Sequence, residues 1–191
     1  MKNKYDIKFY STIKKILNKP FKIVFNPSVN GIENIPNKPY ILCGNHKSLL
    51  DIPLLIISIP DEIHFMAKKE LFDLVILKDI FSKMGAFPID RDKADIKAIK
   101  ESLRILKNKE VLGIFPEGTR NKTDDIVLPF KEGVTTLSNK TDSLIVPFGI
   151  SGEYKRSKIK LNIGKPIDIS KVEKENQTKY IEEKVKELIL K

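Results

Sequence analysis

The sequence predicts an α/β fold: a mixed, mostly parallel central sheet flanked by helices, preceded by an N-terminal amphipathic helical element. Three observations lead there. Short apolar runs alternate with segments of helical period along the whole chain. The chain has 191 residues, the length of one domain and enough to bury a substantial core. Its composition, 41% hydrophobic and 31% charged, excludes disordered, fibrous and low-complexity chains.

The elements follow in order. Phe9, Tyr10, Ile13, Ile16 and Leu17 recur at helical spacing, with Lys4, Lys8 and Lys15 on the other side, and Pro20 is expected to end the segment. Residues 1–20 thus form a basic amphipathic helix and 21–191 the body. Such a helix either lies in a membrane interface with its lysines on anionic headgroups or docks on the domain, and amphipathicity alone leaves both readings open. Phe21–Val29 reads as a strand, Tyr40–Cys43 as a short apolar strand, 51–58 as a helix and Ile63–Met66 as a strand. A helix is expected over Glu70–Lys83, a strand over Gly85–Ile89, and a helix on the stripe Ile96, Ile99, Leu103 and Leu106. Glu110–Phe115, Ser143–Ser151 and Lys158–Ile163 read as strands, and 131–139 and 171–190 as helices. Strands alternating with helices imply a layered α/β architecture.

Lys plus Arg number 35 against 25 Asp plus Glu, a net charge of +10. That surplus favours an anionic partner: nucleic acid, an acidic membrane face or phosphate-bearing substrates. Aromatic residues are not interleaved with the basic ones, as base-stacking surfaces require, so nucleic acid is disfavoured. A single cysteine, Cys43, excludes an intramolecular disulfide and a cysteine-rich metal site. No secretory signal is visible, and no run approaches the roughly 20 apolar residues of a spanning helix. A membrane role is therefore expected to be peripheral, on the cytoplasmic face.

The chemistry-bearing residues cluster at the ends of expected strands, where α/β folds bind ligands. His46 follows the strand Tyr40–Cys43, and Asp51 lies five residues on. On a continuous helix these two would not face each other. With a turn between them and a helix beginning near Asp51, as Pro53 suggests, Asp51 accepts the imidazole Nδ1 proton and leaves Nε2 as a base. The alternative is that Ser48-Leu49-Leu50-Asp51 is a capping box and Asp51 merely closes a helix. Phe115-Pro116-Glu117-Gly118-Thr119-Arg120 follows another strand and offers a glycine for close approach and an arginine fork for a phosphate, or else a plain turn with a surface arginine. Gly85–Arg91 carries Asp90 and Arg91, which read in isolation as a local ion pair. His64 reads as a structural histidine on a strand face, Val146-Pro147-Phe148 as core, and Cys43 as an inert buried thiol. There is no P-loop, dinucleotide fingerprint or Gly-x-Ser-x-Gly elbow, and the two histidines lack helical metal-ligand spacing.

Taken in order, these segments resemble the glycerolipid acyltransferase family, most closely its 1-acyl-glycerol-3-phosphate (lysophosphatidic acid) acyltransferases. The family's Asn-His-x-x-x-x-Asp block is matched by Asn45, His46 and Asp51, with its usual serine at Ser48. The second block is matched by Gly85, Phe87, Ile89, Asp90 and Arg91, the third by Phe115–Arg120 and the fourth by Val146 and Pro147. Lys68–Leu71 and Phe130–Gly133 also look familiar. Each block alone is weakly specific; four in order, across roughly residues 25–165, are strongly specific.

The resemblance implies transfer of a fatty acyl group from an acyl-carrier-protein or coenzyme A thioester to the sn-2 hydroxyl of lysophosphatidic acid. His46 is then the general base and Asp51 orients it. Glu117, Gly118, Thr119 and Arg120 shape the acceptor site, with Arg120 on the phosphate and Arg91 a second phosphate candidate. No cofactor or metal is implied. Glycerol-3-phosphate or a lysophospholipid is the rival acceptor, and a non-catalytic basic lipid-binding module the rival class. Pro88 departs from the usual second block, and the chain lacks the hydrophobic N-terminal segment of many relatives.

Overall fold

The computed structural model describes residues 5–90 and 95–191. Its strands are β1 (Ser28–Asn30), β2 (Tyr40–Gly44), β3 (Ile63–Lys68), β4 (Phe87–Ile89), β5 (Val111–Ile114), β6 (Leu144–Gly152) and β7 (Ile159–Ile163). Its helices are α1 (Ile7–Phe25), α2 (Asp51–Ser58), α3 (Val75–Lys83), α4 (Ile96–Lys107), α5 (Gly133–Thr141) and α6 (Gln177–Ile189). The sheet order is β1-β7-β6-β2-β5-β3-β4. All pairings are parallel except β6 with β7, so the mixed, mostly parallel sheet is the observed one.

Alternation along the strands divides the core into two layers. Tyr40 and Leu42 of β2 face a layer built with α1 and α2, including Tyr10, Phe21, Leu54 and Leu55. Ile41 and Cys43 face the opposite layer, with Ile105 of α4, Leu137 of α5 and Ile181 of α6. Both faces of β2 are covered, which is why it reads as an unbroken apolar run. From β2 the chain crosses one face through α2 to β3, passing β5; from β5 it crosses the other face through α5 to β6, passing β2. The adjacent strands β2 and β5 thus send the chain in opposite directions. Their carboxyl ends border the crevice where open α/β sheets bind ligands.

Four elements differ from expectation, one of them the helix expected over 171–190, where 3-10 turns at Ile169–Lys171 and Lys174–Asn176 precede α6. Pro20 does not end the first helix: α1 runs through it to Phe25, and the expected strand Phe21–Val29 shrinks to β1. A proline inside a helix gives up one backbone hydrogen bond. Here burial of Phe21 and the ring contact of Phe21 with Phe25, 4.7 Å between centroids, continue the apolar side past it. A boundary at residue 20 therefore falls inside a helix. In α4 the buried side is Ala98, Ser102, Ile105 and Leu106, while Ile96 and Ile99 are exposed. The stretch Glu70–Lys83 divides into a 3-10 turn at Lys69–Phe72 and α3. Pro88 lies in β4, the sheet's edge strand, where a missing backbone donor is tolerated.

Helix α1 docks on the domain. Tyr10 is buried and its hydroxyl accepts the Ile63 N–H at 3.1 Å, and Lys14 donates to the carbonyls of Ile59 and Pro60 at the end of α2. Its other side presents Ile16 and Ile23, 60% and 59% exposed and two turns apart, beside exposed Lys8, Lys15, Lys19 and Lys22. No described helix is long and apolar enough to cross a membrane.

Candidate active site

The loop after β2 carries His46, and α2 begins at Asp51. Pro53 sits in the first helical turn, whose backbone donors have no intrahelical partner. A turn therefore separates histidine from aspartate, and the two side chains meet: His46 Nδ1 lies 2.8 Å from Asp51 Oδ2. The same oxygen accepts the N–H groups of Lys47 and Ser48, both at 2.8 Å. Asp51 thus closes the turn before α2 and holds the imidazole at once, while α2 begins at Asp51 with Leu50 as its N-cap and no side-chain cap, so the capping-box reading does not hold. Asp51 is fully buried and His46 is 6% exposed. With a carboxylate on Nδ1, that nitrogen carries the ring proton and Nε2 presents its lone pair. No described residue hydrogen-bonds His46 Nε2.

Strand β5 delivers the second wall. Phe115 stacks on the His46 ring, 4.0 Å between centroids and 19° between planes, and is itself stacked on Phe65 at 5.9 Å. Gly113 makes that layering possible, because a Cβ there would lie 2.3 Å from the Phe65 ring. The chain then turns: Gly118 N–H donates to Phe115 O at 3.0 Å, with Gly118 in the left-handed region at φ 71°. Thr119 and Arg120 beyond it are exposed, and no described residue bonds the guanidinium. Lys131 lies alongside, close enough that a Cβ on Gly118 would be 2.9 Å from its Nζ.

Glu117 is expected from sequence to shape an acceptor site. Its carboxylate instead faces inward, 4% exposed. Oε1 accepts the His46 N–H at 2.6 Å and Oε2 the Leu128 N–H at 2.7 Å. Burial pushes its carboxyl above the usual range, against the two backbone donors that favour the charged form. Asn45 does similar work on the other side, exchanging two hydrogen bonds with the Ile150 backbone. The His46 carbonyl accepts the Asn121 N–H at 2.7 Å.

Of the remaining sequence candidates, Asp90 is ion-paired with Lys69 at 2.7 Å, while Arg91 lies outside the described residues. His64 is buried on β3 with Nδ1 3.0 Å from Gly85 O, a structural placement. Cys43 is wholly buried and its thiol is pushed up by that burial. Tyr154 escaped sequence reading altogether: its hydroxyl donates to Asp51 Oδ1 at 2.6 Å. Nothing near residue 154 marks it, since its partner lies 103 positions away.

Comparison with known proteins settles the class. The family model described as Acyltransferase matches residues 26–151. The chain belongs to the acyltransferase family. The match takes in the loop of His46 and Asp51 and the Phe115–Arg120 turn of this acyltransferase. Over 143 residues, 71% of this chain and 70% of the relative, it is 34% identical to the 1-acyl-sn-glycerol-3-phosphate acyltransferase of Bacillus subtilis. Over 188 residues it is 31% identical to the protein of that name from Saccharomyces cerevisiae, covering 91% of this chain and 60% of the yeast protein. The crystal structure of the 1-acyl-sn-glycerophosphate (LPA) acyltransferase PlsC from Thermotoga maritima superimposes with a TM-score of 0.76 at 30% identity, covering 93% of this acyltransferase and 77% of that chain.

Proposed function

We propose that this acyltransferase moves a fatty acyl group from an acyl thioester to the sn-2 hydroxyl of lysophosphatidic acid, giving phosphatidic acid. The single observation that carries the reading is the buried His46–Asp51 pair, held by a turn at the crevice with Nε2 unengaged by any described residue. The names of the Bacillus and yeast relatives support the acceptor.

In this mechanism His46 Nε2 takes the proton of the acceptor hydroxyl as its oxygen attacks the thioester carbonyl. Asp51 fixes the tautomer and stabilises the imidazolium that forms. Collapse of the tetrahedral intermediate breaks the carbon–sulfur bond, and the imidazolium returns the proton to the leaving thiolate. An ester and a free thiol result, and no protein nucleophile is needed. Arg120 and Lys131 hold the phosphate, one by its fork and one as a point charge. Glu117 positions His46 from behind without touching substrate. The donor is an acyl-carrier-protein or coenzyme A thioester. Exposed Leu49 on the His46 turn, 64% accessible, suits an amphiphilic acceptor. Ile16 and Ile23, with the lysines beside them, attach α1 peripherally to an anionic membrane surface.

The test is a thiol-release assay with acyl-coenzyme A, and in parallel acyl-carrier-protein thioester, against lysophosphatidic acid, glycerol-3-phosphate and lysophosphatidylcholine. Release with lysophosphatidic acid that disappears in His46→Ala is expected. Release confined to another acceptor changes the acceptor and keeps the mechanism. Undiminished release in His46→Ala overturns the base assignment. For the membrane, Ile16→Glu combined with Ile23→Glu is expected to abolish flotation with anionic liposomes; unchanged flotation removes α1 from that role. These substitutions spare Tyr10 and Phe21, which a truncation of α1 would strip from the core.

A further inference from the structure

The hydroxyl of Tyr154 reaches the side chains of the His46–Asp51 pair from outside every sequence block. Asp51 is fully buried, so each of its oxygens needs a partner. Oδ2 is held by His46 Nδ1 and the amides of Lys47 and Ser48. Oδ1 accepts the Tyr154 hydroxyl at 2.6 Å, within the short range of a hydroxyl donating to a carboxylate. Removing that donor would free Oδ1 and let the carboxylate turn about its own bond, carrying Oδ2 away from the imidazole.

Tyr154 is in turn held by α1. Its ring packs edge-on against Phe25 at 5.7 Å and Phe21 at 6.4 Å. The backbone around it is clamped to the same helix end: Ser157 N–H donates to Phe25 O at 2.7 Å, and Asn26 Nδ2 donates to Ser157 Oγ at 2.9 Å. Lys47, next to His46, reaches back to the Gly152 carbonyl. A continuous set of contacts therefore runs from the carboxyl end of α1, through the segment joining β6 to β7, to the carboxylate behind His46.

We propose that Tyr154 is a positioning residue for the acyl-transfer reaction: it locks the Asp51 carboxylate onto His46, and the end of α1 locks Tyr154. This rests on the proposed role of His46 as base. Tyr154→Phe keeps the ring against Phe21 and Phe25 and deletes only the donor. Loss of a hydrogen bond to a buried charge corresponds to about a 10-fold to 100-fold effect.

The experiment compares the full-length protein with Tyr154→Phe by steady-state kinetics, thermal melting and proton NMR. The NMR probe is the low-field resonance of the His46 Nδ1 proton, identified by its loss in His46→Ala. A fall in kcat of about 10-fold or more, with unchanged KM for acceptor and donor, a melting midpoint lowered only by the few degrees that one unmet buried acceptor costs and a displaced low-field resonance, is expected. Full kcat with an unmoved resonance overturns the proposal. So does a fall in kcat with an unmoved resonance, which a merely structural tyrosine would give through lost stability. If the wild-type protein released no thiol with any acceptor, the acyl-transfer reading would fail on its own. The resonance would still decide whether Tyr154 sets the geometry of the pair: displaced in Tyr154→Phe, it does; unmoved, it does not.

Discussion

The backbone N–H of His46 donates to Oε1 of Glu117 at 2.6 Å. One buried carboxylate thereby joins the loop after β2 to the turn after β5, and through Oε2 it also holds Leu128 at 2.7 Å. Both partners are donors, and only a carboxylate can accept from both. Glu117→Gln places an amide NH2 against one of them and leaves a buried donor unmet. A buried unsatisfied group costs about 1–3 kcal/mol, and each kcal/mol lowers the midpoint of a chain this size by about 2–4 °C. Melting of Glu117→Gln is therefore expected several degrees lower, with kcat reduced because His46 shifts. A variant with the wild-type midpoint and full kcat would remove Glu117 from any positioning role.

Phe115 limits the tilt of the imidazole by stacking on it at 4.0 Å. Phe115→Leu keeps an apolar surface and removes the flat face. Such ring pairs contribute about 0.5–1.5 kcal/mol beyond their buried area, so kcat is expected to fall severalfold while the protein stays folded. Steady-state kinetics beside a far-UV circular dichroism melt separates the two effects. Unchanged kcat would mean that Asp51 alone orients the ring.

The parts of the site that were legible in sequence are those built within one loop. His46, Asp51 and Pro53 fall inside eight consecutive residues, and the helix starts at Asp51 as the proline suggests. What sequence could not reach is what crosses the sheet. Glu117 meets His46 from 71 positions away and Tyr154 meets Asp51 from 103. Those pairings depend on β2 lying between β5 and β6, which no local pattern encodes. The same limit explains α1 and α4. Pro20 is a local stop signal that the packing of Phe21 and Phe25 outweighs. In α4, Ala98 and Ser102 are small enough to face the core while the larger Ile96 and Ile99 stay outside.

Arg120 is exposed on the turn after Gly118, and its side chain is bonded by no described residue. Arg120→Ala is expected to raise the KM for lysophosphatidic acid by about 10-fold or more, the scale of a charge-assisted hydrogen bond. The donor KM and the melting midpoint should stay where they are, because no described residue loses a partner. Lys131→Ala should act in the same direction with a smaller effect, a point charge lacking the fork. A rise confined to the donor KM would move Arg120 out of the phosphate site.

His64 makes stability depend on pH. It is 2% exposed, and its Nδ1–H donates to the Gly85 carbonyl at 3.0 Å, which leaves Nε2 without a proton, 3.7 Å from Glu110. Burial lowers its proton affinity. The Gly85 carbonyl and the carboxylates of Glu110 and Glu101 oppose that, and the guanidinium of Arg104 adds to it. The Tyr5 ring, 4.7 Å away, covers the remaining side. The folded chain therefore resists a proton that the unfolded chain accepts near pH 6.5. Below that pH the unfolded state binds more protons, so stability falls as pH falls. The melting midpoint is expected to drop by a few degrees between pH 7 and pH 5, and less steeply in His64→Gln, which keeps a donor for Gly85 and does not titrate. Thiol release at pH 7 should survive that substitution, since His64 is on β3 and touches neither His46 nor Asp51. Parallel midpoint–pH curves for the two proteins would show that His64 takes no part in the acid sensitivity.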